Sequence, residues 1–301
     1  MNKYIACALL SVTTFSAYAD DSGSAVFSCQ KAFAAGEFTQ AIGYANQALR
    51  VAPDNREAYF CLGRSQGAAG DHAAALKSLQ ETDRLSKAPF EHAVALIQLG
   101  NEYKATKAYP DALATYRQSM TIVRAEKNKR YEMIALNLIG ETLQESADFA
   151  GAIEAYQQGY TLAANDNERA DSHAHLASAY SANKQHDQAV GHQIKAVVLE
   201  ERSGDLDHFA HANLELSRIY LEAKQYGEAE KTMGHTLPVV VQAGDGYWEA
   251  SVYQMQARVR YAQGKVEEGD ALIQRGTDLA KKIGADELAQ DIASTKAHLN
   301  M

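Results

Sequence analysis

Apolar residues recur along this chain at three- and four-residue intervals, in segments of a dozen or more positions parted by short polar breaks. Residues 90–126 show the pattern. Val94, Leu96, Ile97, Leu99, Gly100 and Tyr103 share one face of a helical period. Thr106-Lys107-Ala108 reads as a turn, and Tyr109-Pro110-Asp111 opens a second helix, with Pro110 in the first turn, where a missing N–H costs little. Leu113, Tyr116, Met120 and Val123 continue the apolar face. The same reading predicts helix pairs near 24–51, 56–86, 90–126, 130–164, 168–203, 207–243 and 247–283. A last single helix is expected over 285–299, with Leu288, Ile292 and Leu299 on one face.

The second helices share a register. An aromatic or bulky residue is followed by a small one at Phe38–Ala41, His72–Ala75, Tyr109–Ala112, Phe149–Ala152, His186–Ala189, Tyr226–Ala229 and Val266–Gly269. The small residues are spaced 34, 37, 40, 37, 40 and 40 apart, a near-constant period that marks a stacked helical repeat. The prediction is an all-α solenoid of about seven antiparallel helix pairs, one domain over residues 20–301, closed by the 285–299 helix, which covers an otherwise bare apolar end.

These positions resemble the tetratricopeptide repeat (TPR) family. The matches are Leu62-Gly63, Leu99-Gly100 and Ile139-Gly140 in first helices, Tyr103, Tyr180 and Tyr220 three residues after the Gly or its substitute, and Pro53 closing the first unit. The seventh unit departs, with Gln256-Ala257 for the Leu-Gly pair and Val266–Gly269 for the aromatic-Ala step. The 37- and 40-residue units are similar to the longer subclass in kinesin light chains and some bacterial peptide-sensing regulators. The resemblance implies a right-handed superhelix whose small residues and aromatics are scaffold. Pro238, late in the sixth unit, is expected to kink or end its helix, with Gly234 relieving part of the clash.

The N-terminus reads differently. Lys3, a mostly apolar stretch from Tyr4 to Thr14, and Ala17-Tyr18-Ala19 before Asp20-Asp21 predict a signal peptide over residues 1–19, cleaved after Ala19. The expected location is the periplasm or the exterior. The apolar stretch is shorter than the ~20 residues of a spanning helix. Removal of Lys3 takes the net charge from −9 to −10, and an acidic surface disfavours nucleic acid and anionic lipid. Cys29 and Cys61 remain, on the first helices of adjacent units. In an oxidising compartment they could pair and staple the N-terminal end, or stand as two buried free thiols.

No G-x-S-x-G, Walker-type loop, C-x-x-C or His-Glu-x-x-His is present. His208, His211 and Glu215 share a helix face, but three ligands along one helix rarely close a coordination sphere, so no metal and no cofactor is expected. The chain reads as non-enzymatic. The resemblance implies a groove lined by first-helix side chains: Arg64, Asn101, Lys104, Asn137, Glu141, Gln144, His175, Ser178, Arg218, Arg258 and Tyr261, with Leu214, Leu221 and Gln254 beside them. A carboxylate clamp of the kind some members use is not expected, because Ile97 stands where its Lys would be. The expected role is a scaffold or adaptor that binds a protein or peptide in a concave groove, with self-association through the ends as a further option. The rival is a sensor whose superhelix changes shape on binding a peptide or small ligand.

Overall fold

The computed structural model describes residues 13–299, with side chains from 22 to 297. Among the described residues there are fifteen helices and no strand. They are α1 (Thr13–Ala34), α2 (Phe38–Val51), α3 (Arg56–Ala68), α4 (His72–Leu85), α5 (Pro89–Ala105), α6 (Tyr109–Ala125) and α7 (Lys129–Glu145). There follow α8 (Phe149–Tyr160), α9 (Asp166–Ala182), α10 (His186–Ser203), α11 (Leu206–Glu222), α12 (Tyr226–Ala243), α13 (Gly246–Ala262), α14 (Val266–Lys282) and α15 (Asp286–Leu299). The helices group into two compact units divided after Ser146. The expected helix bounds hold within a few residues, except that α1 starts at Thr13 rather than near 24. Residues 1–12 of the expected leader lie outside the described residues; 13–19 are helical and run on into the first pair.

The helix ends follow local chemistry. Asn55, Asp71, Asn128, Asp148, Asn165, Asp205 and Asp245 each accept a hydrogen bond from a first-turn backbone N–H, which satisfies one of the donors a helix start leaves unpaired. The turn inside each pair always places one residue in the left-handed region, five positions before the small residue: Gly36, Gly70, Lys107, Ala147, Lys184, Lys224 and Gly264. The next N–H then bonds back to the carbonyl five residues earlier, as in Ala108 to Tyr103 at 2.8 Å and Gln185 to Tyr180 at 2.9 Å.

The small residues are where helices touch. Ala41, Ala75, Ala112, Ala152, Ala189 and Ala229 are fully buried. On the opposite helix of the third pair, a Cβ added at Gly100 would lie 2.4 Å from the ring of Tyr116. That ring fills the space between the two helices of one pair. The seventh pair reverses the roles: Gly269 of the second helix faces Tyr261 of the first, again at 2.4 Å from an added Cβ. This explains why its motif looks degenerate. Ala257 has no need to be Gly, because the bulky ring comes from its own helix. A second small column, seven residues further along, closes the hairpins; Ser119 Oγ donates to Ala93 O at 2.8 Å, and an added Cβ at Gly276 would sit 3.2 Å from Ala250 O.

Two expectations meet specific outcomes. α12 does not end at Pro238 but runs through it to Ala243, terminating at left-handed Gly244. Cys29 and Cys61 are joined by a disulfide, with their Cα atoms 6.4 Å apart. It links α1 to α3 inside a cluster with Ala32, Ala41, Ala45 and Leu62.

Candidate functional site

The first-helix positions in the N-terminal unit are mostly engaged with one another. Arg64 lies over the Phe33 ring at 4.2 Å and near Phe60 at 5.6 Å, and burial pulls its pKa below the ordinary arginine value. Asn101 Oδ1 accepts from the Tyr116 hydroxyl at 2.7 Å. Burial, and then the nearby Glu141, push that phenol well above its ordinary pKa. Lys104 Nζ bonds Glu141 at 2.7 Å and lies 3.9 Å from Glu145, so α5 and α7 are tied by charge. Gln144 is half-buried on α7. Asn137 Oδ1 is buried with no hydrogen-bond partner.

The C-terminal unit arranges the same positions around open space. A cleft of about 360 Å³ lies between α9 and α11 over α10, and His175, Ser178 and Arg218 line it. Its walls are small: Ala170, Ala174, Ala196 and Ala212. Asp171, Glu200, His208, His211 and Glu215 complete the polar lining, with Gln193 at the base. Gln193 Nε2 donates to Ala212 O at 2.9 Å. Arg218 is held by Glu215 at 2.8 Å and Glu222 at 2.6 Å. Burial works against its charge, but these two carboxylates outweigh it and raise its pKa above the ordinary value. Ser181 Oγ also donates to Glu222 at 2.6 Å, joining α9 to α11; burial opposes that carboxylate's ionisation, yet these bonds lower its pKa overall.

Arg258 and Tyr261 line a different cleft, of about 420 Å³, with Leu221, Tyr226 and Lys296. Gln254 is spent on α15, donating to Asp291 at 2.7 Å and Thr295 at 3.0 Å. Tyr261 donates to Asp270 at 2.7 Å; burial first, and then this bond, push its pKa to about 12. Beside the first cleft is an aromatic cluster that the groove reading did not anticipate. His175 stacks on Tyr156, His173 leans on Tyr160, and His192 stacks on Tyr180. His173 and His192 bring their Nδ1 atoms to 3.1 Å. Burial, then the neighbouring His192 and Lys195, lower the His173 pKa to about 4, and burial lowers that of His192 as well.

The His208–His211–Glu215 line opens onto the cleft rather than onto bare solvent. Among the described residues no group of three or more His, Cys, Asp or Glu could hold a metal ion. Nor is any described helix long and apolar enough to cross a membrane. Sequence reasoning missed Gln193 and Glu200. The signal was present in the register: four residues after the small position stand Ala45, Leu79, Tyr116, Tyr156, Gln193, Met233 and Ile273, and eleven after it stand Ala52, Ser86, Val123, Ala163, Glu200, Val240 and Ala280, so Gln193 is the one polar residue of the first set and Glu200 the one charged residue of the second.

No family model and no curated protein matches the chain. Solved structures do. TPR-like repeats attributed to a kinesin light chain of Podosopora anserina superpose with a TM-score of 0.58 at 17% identity, covering 66% of this chain and 99% of that one. The apo form of RapI gives 0.61 at 14% identity over 81% of this chain and 96% of its own. A Rap protein complexed with Competence and Sporulation Factor gives 0.53 at 11% identity, over 93% and 99%. The fold is therefore that of the TPR-like helical repeats.

Proposed function

We propose that the protein is a non-catalytic scaffold or adaptor, exported to the cell envelope, that binds a protein or peptide along its first-helix face. The observation that carries the reading is the cleft where His175, Ser178 and Arg218 converge, preformed between rigid helices. A preformed cleft lowers the ordering cost of association. The Rap neighbour that holds a factor shows that this fold can take a ligand. The Cys29–Cys61 disulfide supports export, since such bonds persist in oxidising compartments.

Envelope extract passed over the immobilised protein tests the binding half. Ala174→Trp would fill the cleft, and capture should be lost while helical circular dichroism and Tm are kept. Capture that survives the filled cleft argues against this site. For export, the full chain expressed in a Gram-negative host should be recovered from the periplasm with Asp20 at its N-terminus. A cytoplasmic product that retains Met1 would reject that half.

A further inference from the structure

In the fifth pair, two core registers are broken. Where other second helices place Tyr116 or Met233, this one has Gln193; where they place Val123, Val240 or Ala280, it has Glu200. The residues in those other pairs are fully buried. Gln193 and Glu200 are buried too, at 3% and 8% exposure, so the register is kept while its chemistry changes. Both line the alanine-walled cleft.

Glu200 is the one without an answer. Its Oε2 is buried and accepts no hydrogen bond; its one charge partner is the exposed His208, whose Nδ1 stands 3.4 Å away and pairs with it only when the imidazole is protonated. A carboxylate withdrawn from water and given no hydrogen bond is costly, and folding alone gives no reason to place one where valine fits. Asp171 adds a second carboxylate to the lining, and Glu215 a third. The single guanidinium, Arg218, is already held by Glu215 and Glu222. The cleft is thus an anionic slot with apolar walls, sized for the end of a long side chain.

We infer that this cleft receives the cationic side chain, arginine or lysine, of a bound peptide, with Glu200 as its counter-charge. The alanine walls would pack on the methylene stem, and Glu200 and Asp171 would accept from the charged head. The inference rests on the peptide-binding reading and names the side chain that reading would select.

The test is calorimetric titration of the full chain with acetyl-Gly-Ala-Arg-Ala-Gly-amide, and with the same peptide carrying citrulline, a neutral isostere. The arginine peptide should bind at least about tenfold more tightly, the factor that ~1.4 kcal/mol sets. Glu200→Gln should erase the preference without unfolding the protein, since it removes a buried charge; Asp171→Asn should reduce it. Equal binding of the two peptides overturns the inference, as does a preference unchanged in Glu200→Gln. Binding of neither peptide also overturns it, as does a divalent metal that occupies the cleft and excludes the peptide. If envelope capture still depends on the open cleft in these cases, the scaffold reading stands without the cation slot. If capture is insensitive to Ala174→Trp, the scaffold site falls first.

Discussion

The third and fifth helix pairs are built on one register and end differently. In the third, Tyr116 of α6 lies against Gly100 of α5 and Val123 is sealed below it, so the pair closes solid. In the fifth, the same places hold Gln193 and Glu200, Ala177 stands where the third pair has Gly100, and a cleft opens beside α11. Glycine is required where a bulky side chain is delivered against it, the Tyr116 ring at Gly100 or Leu79 at Gly63. With Gln193 opposite, an alanine fits. The backbone does not decide whether a pair is filler or site; two side chains per second helix do.

The largest blow to the closed pair is Tyr116→Ala. It empties a fully buried ring position and strands Asn101 Oδ1, so stability should fall by about 3–5 kcal/mol in denaturant titration. Gln193→Ala, its counterpart, should cost about 1 kcal/mol, the value of one hydrogen bond to Ala212. Next is Gly100→Ala. The added methyl would stand 2.4 Å from a ring with no room to move, and a loss of about 1–3 kcal/mol is expected. A loss below the gain from alanine's helix propensity would mean the ring can shift, and the contrast with Ala177 would lose its meaning.

Glu200→Val restores the common register in the fifth pair. It should stabilise the fold by about 1–2 kcal/mol, because a buried carboxylate with no hydrogen bond and only the exposed His208 as charge partner is exchanged for packing. A destabilised variant would mean that the pair with His208 outweighs the packing gained. Acid separates the pairs further. His173 is neutral in both folded and unfolded chains above pH 6.5; between 6.5 and about 4 the unfolded chain takes a proton that the folded one resists. Tm should therefore fall as pH drops through that window and level off below it, and His173→Phe should flatten the slope. The smallest effect is one the two pairs should share. Lys107 and Lys184 hold the same left-handed turn position at φ 60° and 61°, and glycine at either should gain about 0.5–1 kcal/mol by thermal melt. Unequal gains would show that the turns are not equivalent.

Much of this was legible in the chain. Helix bounds and the small-residue column follow from periodicity, because helices 3.6 residues per turn can pack closely only where side chains are short on a repeating face. Those residues report their environment without help from distant positions. The groove list was legible only as a set of places. Lys104 could not be known to be consumed by Glu141 37 residues on, nor Gln254 by Asp291, because which ion or amide finds which partner depends on distances between helices.

Alone, then, the sequence determined an all-α chain of paired helices in a fixed register, since burial of one face per helix admits little else. Tertiary structure decided that Cys29 and Cys61 are bonded, that Tyr261 faces Gly269 with the roles exchanged, and that Glu200 sits without a hydrogen bond at the edge of an open cleft. Each of these depends on which side chains from separate helices meet within a few ångströms, and periodicity along one chain carries no such distance.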